Sequence, residues 1–504
     1  MPKSTTPTFT HNFPIYVNRV VRKELNSRFN AAQQLYNACL TDALKRVDLM
    51  LLDDDYKTAR SLSRKAYTYT KDSEEQKATK QEAAKLYTTL REKYGLQKYS
   101  LNPVAAKHRK AAPHIYQHID SQSAKAIAAR VMKSIDKYLL NYGKKNKKGR
   151  SLYRPHFKRF GMVNSIESLN HQQGILFDPE TSTVNWNACR ANVAAKHSAL
   201  TFHVMYASKE GKSLYEQHAL QHRIKFCRIL RKTYGRNTAF VLQVCFEGTP
   251  YKRPELLDNS KSKTPKGIDV NSHSIAIASA REAKLHPLPI ACKGVAMLQA
   301  ELSAIERKMS RSRMASNPEC FEIGSKRKGR KTVEVNRPLK GKRMKNFSNN
   351  YKKLSNRKAR LSRKLAAGRK TNQGELANLI LSDSSYLKIE KVWYKGWQKS
   401  RLGKAIGKHG HGALERLIKR RCAELDIGFE YIDPWKTALS QYCHVCQNRT
   451  KKVIYERHTC CNQGWDRDKY SALLALFCSF DGASWHIDNE GVEAALKSNP
   501  ESFK

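Results

Sequence analysis

Acidic side chains are scarce in this chain. Its 504 residues hold 44 Asp and Glu against 94 Lys and Arg, a formal charge of +50. A folded chain so charged repels itself unless a polyanion neutralises it. Nucleic acid is the natural partner, because Lys and Arg release the counterions of phosphates. No segment reads as a basic amphipathic anchor, which argues against a membrane surface. Long apolar runs are lacking too, and the most apolar one, residues 472–480, is too short to cross a bilayer. The first residues have no apolar core of signal-peptide length. The 12 cysteines stand mostly alone, which excludes a disulfide framework and fits a reducing compartment. No internal repeat is present. The expectation is a soluble intracellular protein of about three domains that binds a polyanion.

What is present changes period along the chain. Residues 8–18 alternate loosely around Pro14, as in a short strand. Over 25–52, Phe29, Leu35, Tyr36, Leu40 and Leu44 recur mostly at helical intervals. Residues 57–95 are charged and Ala-rich, a solvated helical pair, and Ile127, Val131, Ile135 and Tyr138 mark a helix over 124–140. From Lys144 to Phe160, basic residues interleave with Tyr153, Phe157 and Phe160, cations for phosphates beside rings for bases. A solvated linker is the competing reading of that run. Residues 165–247 are strand-like, a small barrel or sandwich, and 251–265 read as a linker. Beyond it come a strand with Asp269, a helix over 297–312 and a one-signed basic run over 325–370 whose later half keeps Leu354, Leu361 and Leu365 at helical spacing. A strand over 386–392 carries Glu390, a helix over 413–425 is closed by Gly428, and a last short strand follows.

Two constellations carry chemistry. Cys443-x-x-Cys446 is half of a zinc-ribbon knuckle, and His458 and Cys461 repeat its spacing with Cys460 beside them as a competitor. The expected ligands are Cys443, Cys446, His458 and Cys461 around a structural Zn²⁺, the alternative being a degenerate ribbon without metal. The second constellation is acidic: Asp269 near a strand start, Glu390 near a strand end, and Asp466 and Asp468 at a helix head. Three carboxylates from separate elements can hold two Mg²⁺ about 4 Å apart for phosphodiester cleavage. Each acid alone reads as a surface carboxylate or, for Asp466, an N-cap. Asp468, Ala472, Ala475 and Ser479 share one side of the expected helix, small enough for close approach to a sheet.

In this order, G-I-D-V (267–270), K-I-E-K-V (388–392), S-Q-Y-C-H-V-C (440–446) and D-R-D-K-Y-S-A (466–472) resemble TnpB, the RNA-guided nuclease of insertion sequences, and the compact type V CRISPR effectors. Q-L-Y-N-A-C-L (34–40) and R-P-H-F-K (154–158) are weaker echoes. The resemblance implies an α/β multidomain fold: an RNase H-like (RuvC) nuclease domain with a zinc-ribbon insertion, a helical recognition lobe and a wedge-like β-barrel. The barrel would occupy 1–24 and 151–265, the lobe 25–150, the nuclease domain 266–436 and 466–504, and the ribbon 437–465. It implies a catalytic, cation-binding triad of Asp269, Glu390 and Asp468, with Asp466 non-essential. It also implies guide RNA and double- and single-stranded target DNA as partners, no membrane, and a prokaryotic cytoplasm, or a nucleus for a eukaryotic relative. Tyr470, Asn271, Lys391 and His458 depart from the family pattern without removing a triad carboxylate. The implied activity is RNA-guided DNA cleavage; a nuclease-inactive RNA-guided repressor and an RNA-independent nuclease or transposase are the rivals.

Overall fold

The strongest apolar periodicity becomes the longest helix. In the computed structural model Asn18 caps Arg19–Leu52 by accepting the Val21 N–H at 2.8 Å, so the helix begins before its apolar repeat does. Leu25, Phe29, Ala32, Leu35, Tyr36, Cys39 and Leu40 form its buried stripe. Each large apolar side chain so buried contributes roughly 1.5–3 kcal/mol. The structure describes all residues except 1–5, 71, 144–152, 172, 188–198, 208–211, 235–236, 258–262, 289–294, 329–330, 401–402, 451–456 and 463. The chain divides into two units, Met1–Tyr251 and Lys252–Lys504.

In the first unit, the solvated pair is Asp54–Lys65 and Glu74–Lys93, each with few buried positions. Asn102–Ala111 and Pro113–His118 are short helices with a proline in the first turn, too brief to show a period. Ser121–Leu140 starts on an Asp120 cap. Thr8–Pro14, Asn237–Glu247, Ile224–Tyr234 and Ser165–Glu167 form one antiparallel sheet in that order. Ile175–Asp178, Thr183–Asn187 and Ala199–His203 form a second, and a bridge between Ile15 and Val204 joins their edges. Strands and helices share one core. Its polar rivet is Asp120, which accepts the Trp186 indole N–H at 2.9 Å while the buried Arg28 guanidinium lies 4.6 Å from the Trp186 ring centre.

The two weaker sequence echoes meet here. Asn37 accepts the Lys158 N–H at 2.8 Å and returns a bond to its carbonyl at 2.9 Å, and Arg154 reaches both Asp48 carboxylate oxygens at 3.1 Å. The backbone of 153–160 is thereby pinned to the long helix while Phe157 and Phe160 stay exposed. The first part of that basic run, 144–152, lies outside the described residues.

The second unit is built on a five-stranded sheet in the order Ala283–Pro287, Ser274–Ala278, Thr264–Val270, Ser384–Glu390, Gly428–Ile432. The first three run antiparallel and the last two join in parallel. Alternation gives the sheet two unlike faces. Ile268, Ile275, Ile277, Leu387 and Ile389 pack on one side against Leu414, Ile418 and Cys422 of the helix His411–Leu425. Ala276, Ala278 and Ile432 lie on the other against the helix Arg467–Leu476. Gly267 marks the tightest point: a Cβ there would sit 2.0 Å from the Ala472 carbonyl oxygen.

Some local expectations shift. The Asp468 helix ends at Leu476, so Ser479 belongs to the strand Cys478–Phe480 instead. Asp426, left-handed at φ 58°, ends the helix His411–Leu425, and Gly428 opens the next strand against the Tyr386 ring. Part of the basic run is a hairpin, Phe321–Lys328 with Lys331–Pro338. Its later part enters the helix Asn349–Leu381, which packs on Val295–Ser316 through Ile305, Met309 and Leu361. Among the described residues, no helix is long and apolar enough to cross a membrane.

Because backbone rather than a flexible side chain fills the space over Gly267, Gly267→Ala must push strand and helix apart. We expect a loss of about 1–3 kcal/mol, read as a lower Tm in thermal unfolding. An unchanged Tm would show that the helix does not seat on that strand.

Candidate active site and cysteine knot

Strand register brings the first two acids together. Ile268 and Ile389 are parallel partners, so Asp269 and Glu390, one residue further on, stand side by side on the opposite face. Asp269 is buried. Its strand end is held by His411, whose Nε2–H donates to the Asn271 carbonyl at 2.9 Å. Glu390 accepts the Leu439 backbone N–H.

The third acid comes from the helix on that face. Asp466 is its N-cap, accepting the N–H groups of Asp468 and Lys469 at 3.0 Å each. That spends Asp466 on the backbone and leaves Asp468, in the first turn, to face the other acids. Arg467 pairs with Asp468 at 2.9 and 3.2 Å. The close seat over Gly267 sets how near Asp468 comes.

The electrostatics are those of an under-compensated anionic cluster. Burial raises the Asp269 pKa well above the carboxylate range, Glu390 and then Asp468 raise it further, and Arg467 opposes them. Burial also pushes Glu390 up to about 7. One guanidinium against three acids leaves a deficit of positive charge, and carboxylate oxygens are the donor type that Mg²⁺ takes.

The cysteine knot corrects the expected ligand set. Cys443, Cys446, Cys460 and Cys461 bring their sulfurs within 4.8 Å of one another, and His458 is not in that group. Cys461 adopts a left-handed φ of 54°, a tight turn in which both neighbouring thiols take part in the cluster. His458 is instead fully buried, its ring 4.4 Å from that of Tyr470. Sulfurs at the corners of a tetrahedron around Zn²⁺ lie about 3.8 Å apart. Cys446–Cys460 at 3.5 Å and Cys460–Cys461 at 3.8 Å match that spacing. The Asn448 backbone N–H and the neighbouring thiols bring Cys446 down to about 7, while Cys460 is pushed up to about 12 by its bonds to Cys446 and Cys443. A cation is what would let all four ionise together. The loop residues 451–456 between the two halves lie outside the described residues.

Sequence reading missed two supports. His411 carries no motif, and only folding brings it beneath Asn271. Tyr470 registered only as a departure from a family pattern, yet it is buried against His444 and His458 of the knot.

No family model and no curated protein matches the chain. Among solved structures, a Cas12f1–sgRNA–target DNA complex is 12% identical, with 93% of this chain and 98% of that chain covered at a TM-score of 0.45. A CRISPR-Cas12f ternary complex is 12% identical over the same shares at a TM-score of 0.26. At such scores the site rests on the geometry of this chain.

Two outcomes are expected. Glu390, at about 7 in the fold against an ordinary 4.5, keeps a proton that the unfolded chain has lost between those values. Folding therefore binds protons in that window, and metal-free protein is destabilised as pH rises through it. The Tm of the wild type should fall with rising pH relative to that of Glu390→Gln, and parallel curves would refute the burial. For the knot, Cys460→Ser should lose stoichiometric zinc in elemental analysis while His458→Gln keeps it. The reverse result would restore the histidine as ligand.

Proposed function

We propose that the second unit is a metal-dependent nuclease of RNase H type, and that the chain acts as an RNA-guided DNA endonuclease. The observation that carries this reading is the convergence of Asp269, Glu390 and Asp468 from two strands and a helix. Bound there, two divalent cations would supply an activated water and stabilise the leaving 3′ oxygen of a phosphodiester. Asp269, influenced by both other acids, would be the central carboxylate. His411 and Asn271 fix its strand end, and the Asp466 cap fixes the helix that presents Asp468. Arg467 offsets part of the negative charge.

Guiding by RNA rests on the ordered motifs and on the charge of +50. Base pairing would then supply specificity, while the protein holds backbones and reads a short flanking duplex. The four-thiol knot fits a structural Zn²⁺, and the pinned segment 153–160 offers exposed rings beside cations to nucleic acid.

Asp269→Ala, Glu390→Ala and Asp468→Ala should each reduce cleavage of a guide-matched plasmid to background while leaving guide and target binding nearly intact. Cleavage by Asp468→Ala would refute the triad. Wild-type binding without cleavage would make the chain a guided repressor, and activity unchanged by RNase would remove the guide.

A further inference from the structure

Tyr470 lies two residues after Asp468, which on an α-helix turns it about 200° to the opposite face. Asp468 points to the acids, and Tyr470 points to the knot. Its hydroxyl meets His444, the residue inside the first knuckle, twice: it accepts the His444 backbone N–H at 3.0 Å and lies 2.7 Å from Nδ1. The other ring nitrogen, Nε2, is 2.6 Å from a Glu493 carboxylate oxygen. One arrangement satisfies every atom. Nε2–H donates to Glu493, Nδ1 accepts the Tyr470 O–H, and the Tyr470 oxygen accepts the backbone N–H. The second half of the knot is held by the same side chain, because His458 lies against the Tyr470 ring at 4.4 Å and 36°. Both His444 and Tyr470 are buried, so losing a partner leaves a polar atom dry.

We propose that Tyr470 is a positioning residue that couples the knot to the carboxylate centre, so that metal in the four-thiol site and divalent cation at Asp269, Glu390 and Asp468 bind cooperatively. The inference rests on the metal-dependent reading of the acids. A filled knot fixes the first knuckle, the knuckle fixes Tyr470, and the helix carries that constraint to Asp468. A reversed helix face, or a residue without a hydroxyl at 470, would leave the two sites independent. Because linkage is reciprocal, cation at the acids must also be felt at the knot.

The test uses full-length protein with Co²⁺ in the knot, whose thiolate charge-transfer absorption reports the geometry there, titrated with Mg²⁺. In the wild type Mg²⁺ should shift that absorption, and the shift should vanish in Asp269→Asn, which assigns it to the acids. In Tyr470→Phe, which keeps the ring against His458, the Co²⁺ spectrum should be present but insensitive to Mg²⁺. In zinc-loaded protein, Mn²⁺ affinity at the acids should fall about fivefold or more in Tyr470→Phe with zinc content unchanged. Glu493→Gln, at the exposed end of the chain of bonds, should shift both readouts in the same direction by less. A wild-type spectrum unmoved by saturating Mg²⁺, or a Tyr470→Phe protein with wild-type coupling, would overturn the proposal. If no Mn²⁺ binding depended on Asp269, the carboxylate reading itself would fall, and the coupling with it.

Discussion

The contact between Gly267 and the backbone of Ala472 is the constraint on which the second unit depends. Asp269 and Glu390 share a sheet, and strand register alone makes them neighbours. Asp468 arrives on a helix, and how near it comes is set by how closely that helix lies on the strands. A side chain at Gly267 would hold it off, as would larger residues at Ala276 or Ala472. Small residues on this face give up apolar burial, which the opposite face recovers with Ile268, Leu387 and Ile389. Proximity of the acids is thus bought with packing.

The same proximity explains the local electrostatics of a chain that is otherwise strongly basic. Three carboxylates with one paired guanidinium form an anionic point within a +50 protein. Asp269, through burial and then its two acidic neighbours, and Glu390, through burial, hold protons more tightly than usual. The basic excess suits phosphate backbones, and the anionic point suits the cations that would act on them. Neither feature needs the other to fold, but a polyanion-cutting enzyme needs both.

Much of this was legible in the sequence because it follows from short periods. Strands were expected at Asp269 and Glu390, although Asp269 stands near the end of Thr264–Val270 and not at a strand start. Helical spacing placed the long amino-terminal helix, and the small residues of the Asp468 helix foretold its close seat. What the sequence did not show depends on geometry that spacing cannot carry. Cys460 and His458 both lie within reach of a knuckle, and only the left-handed turn at Cys461 and the packing of His458 on Tyr470 separate them. The hairpin Phe321–Pro338 hid in a basic run because its apolar alternation is short, Phe321 and Ile323 on one strand and Val333 and Val335 on the other. His411 and Tyr470 act through partners far away in sequence, where no local pattern could point to them.

The central claim is that Asp269, Glu390 and Asp468 form one cation site. Anomalous diffraction from crystals of the full chain soaked in Mn²⁺ tests it most directly. The account predicts two peaks about 4 Å apart, ligated by these three carboxylates, and a metal-free site in the Asp269→Ala protein. Peaks elsewhere, or none beside these acids at saturating Mn²⁺, would contradict it.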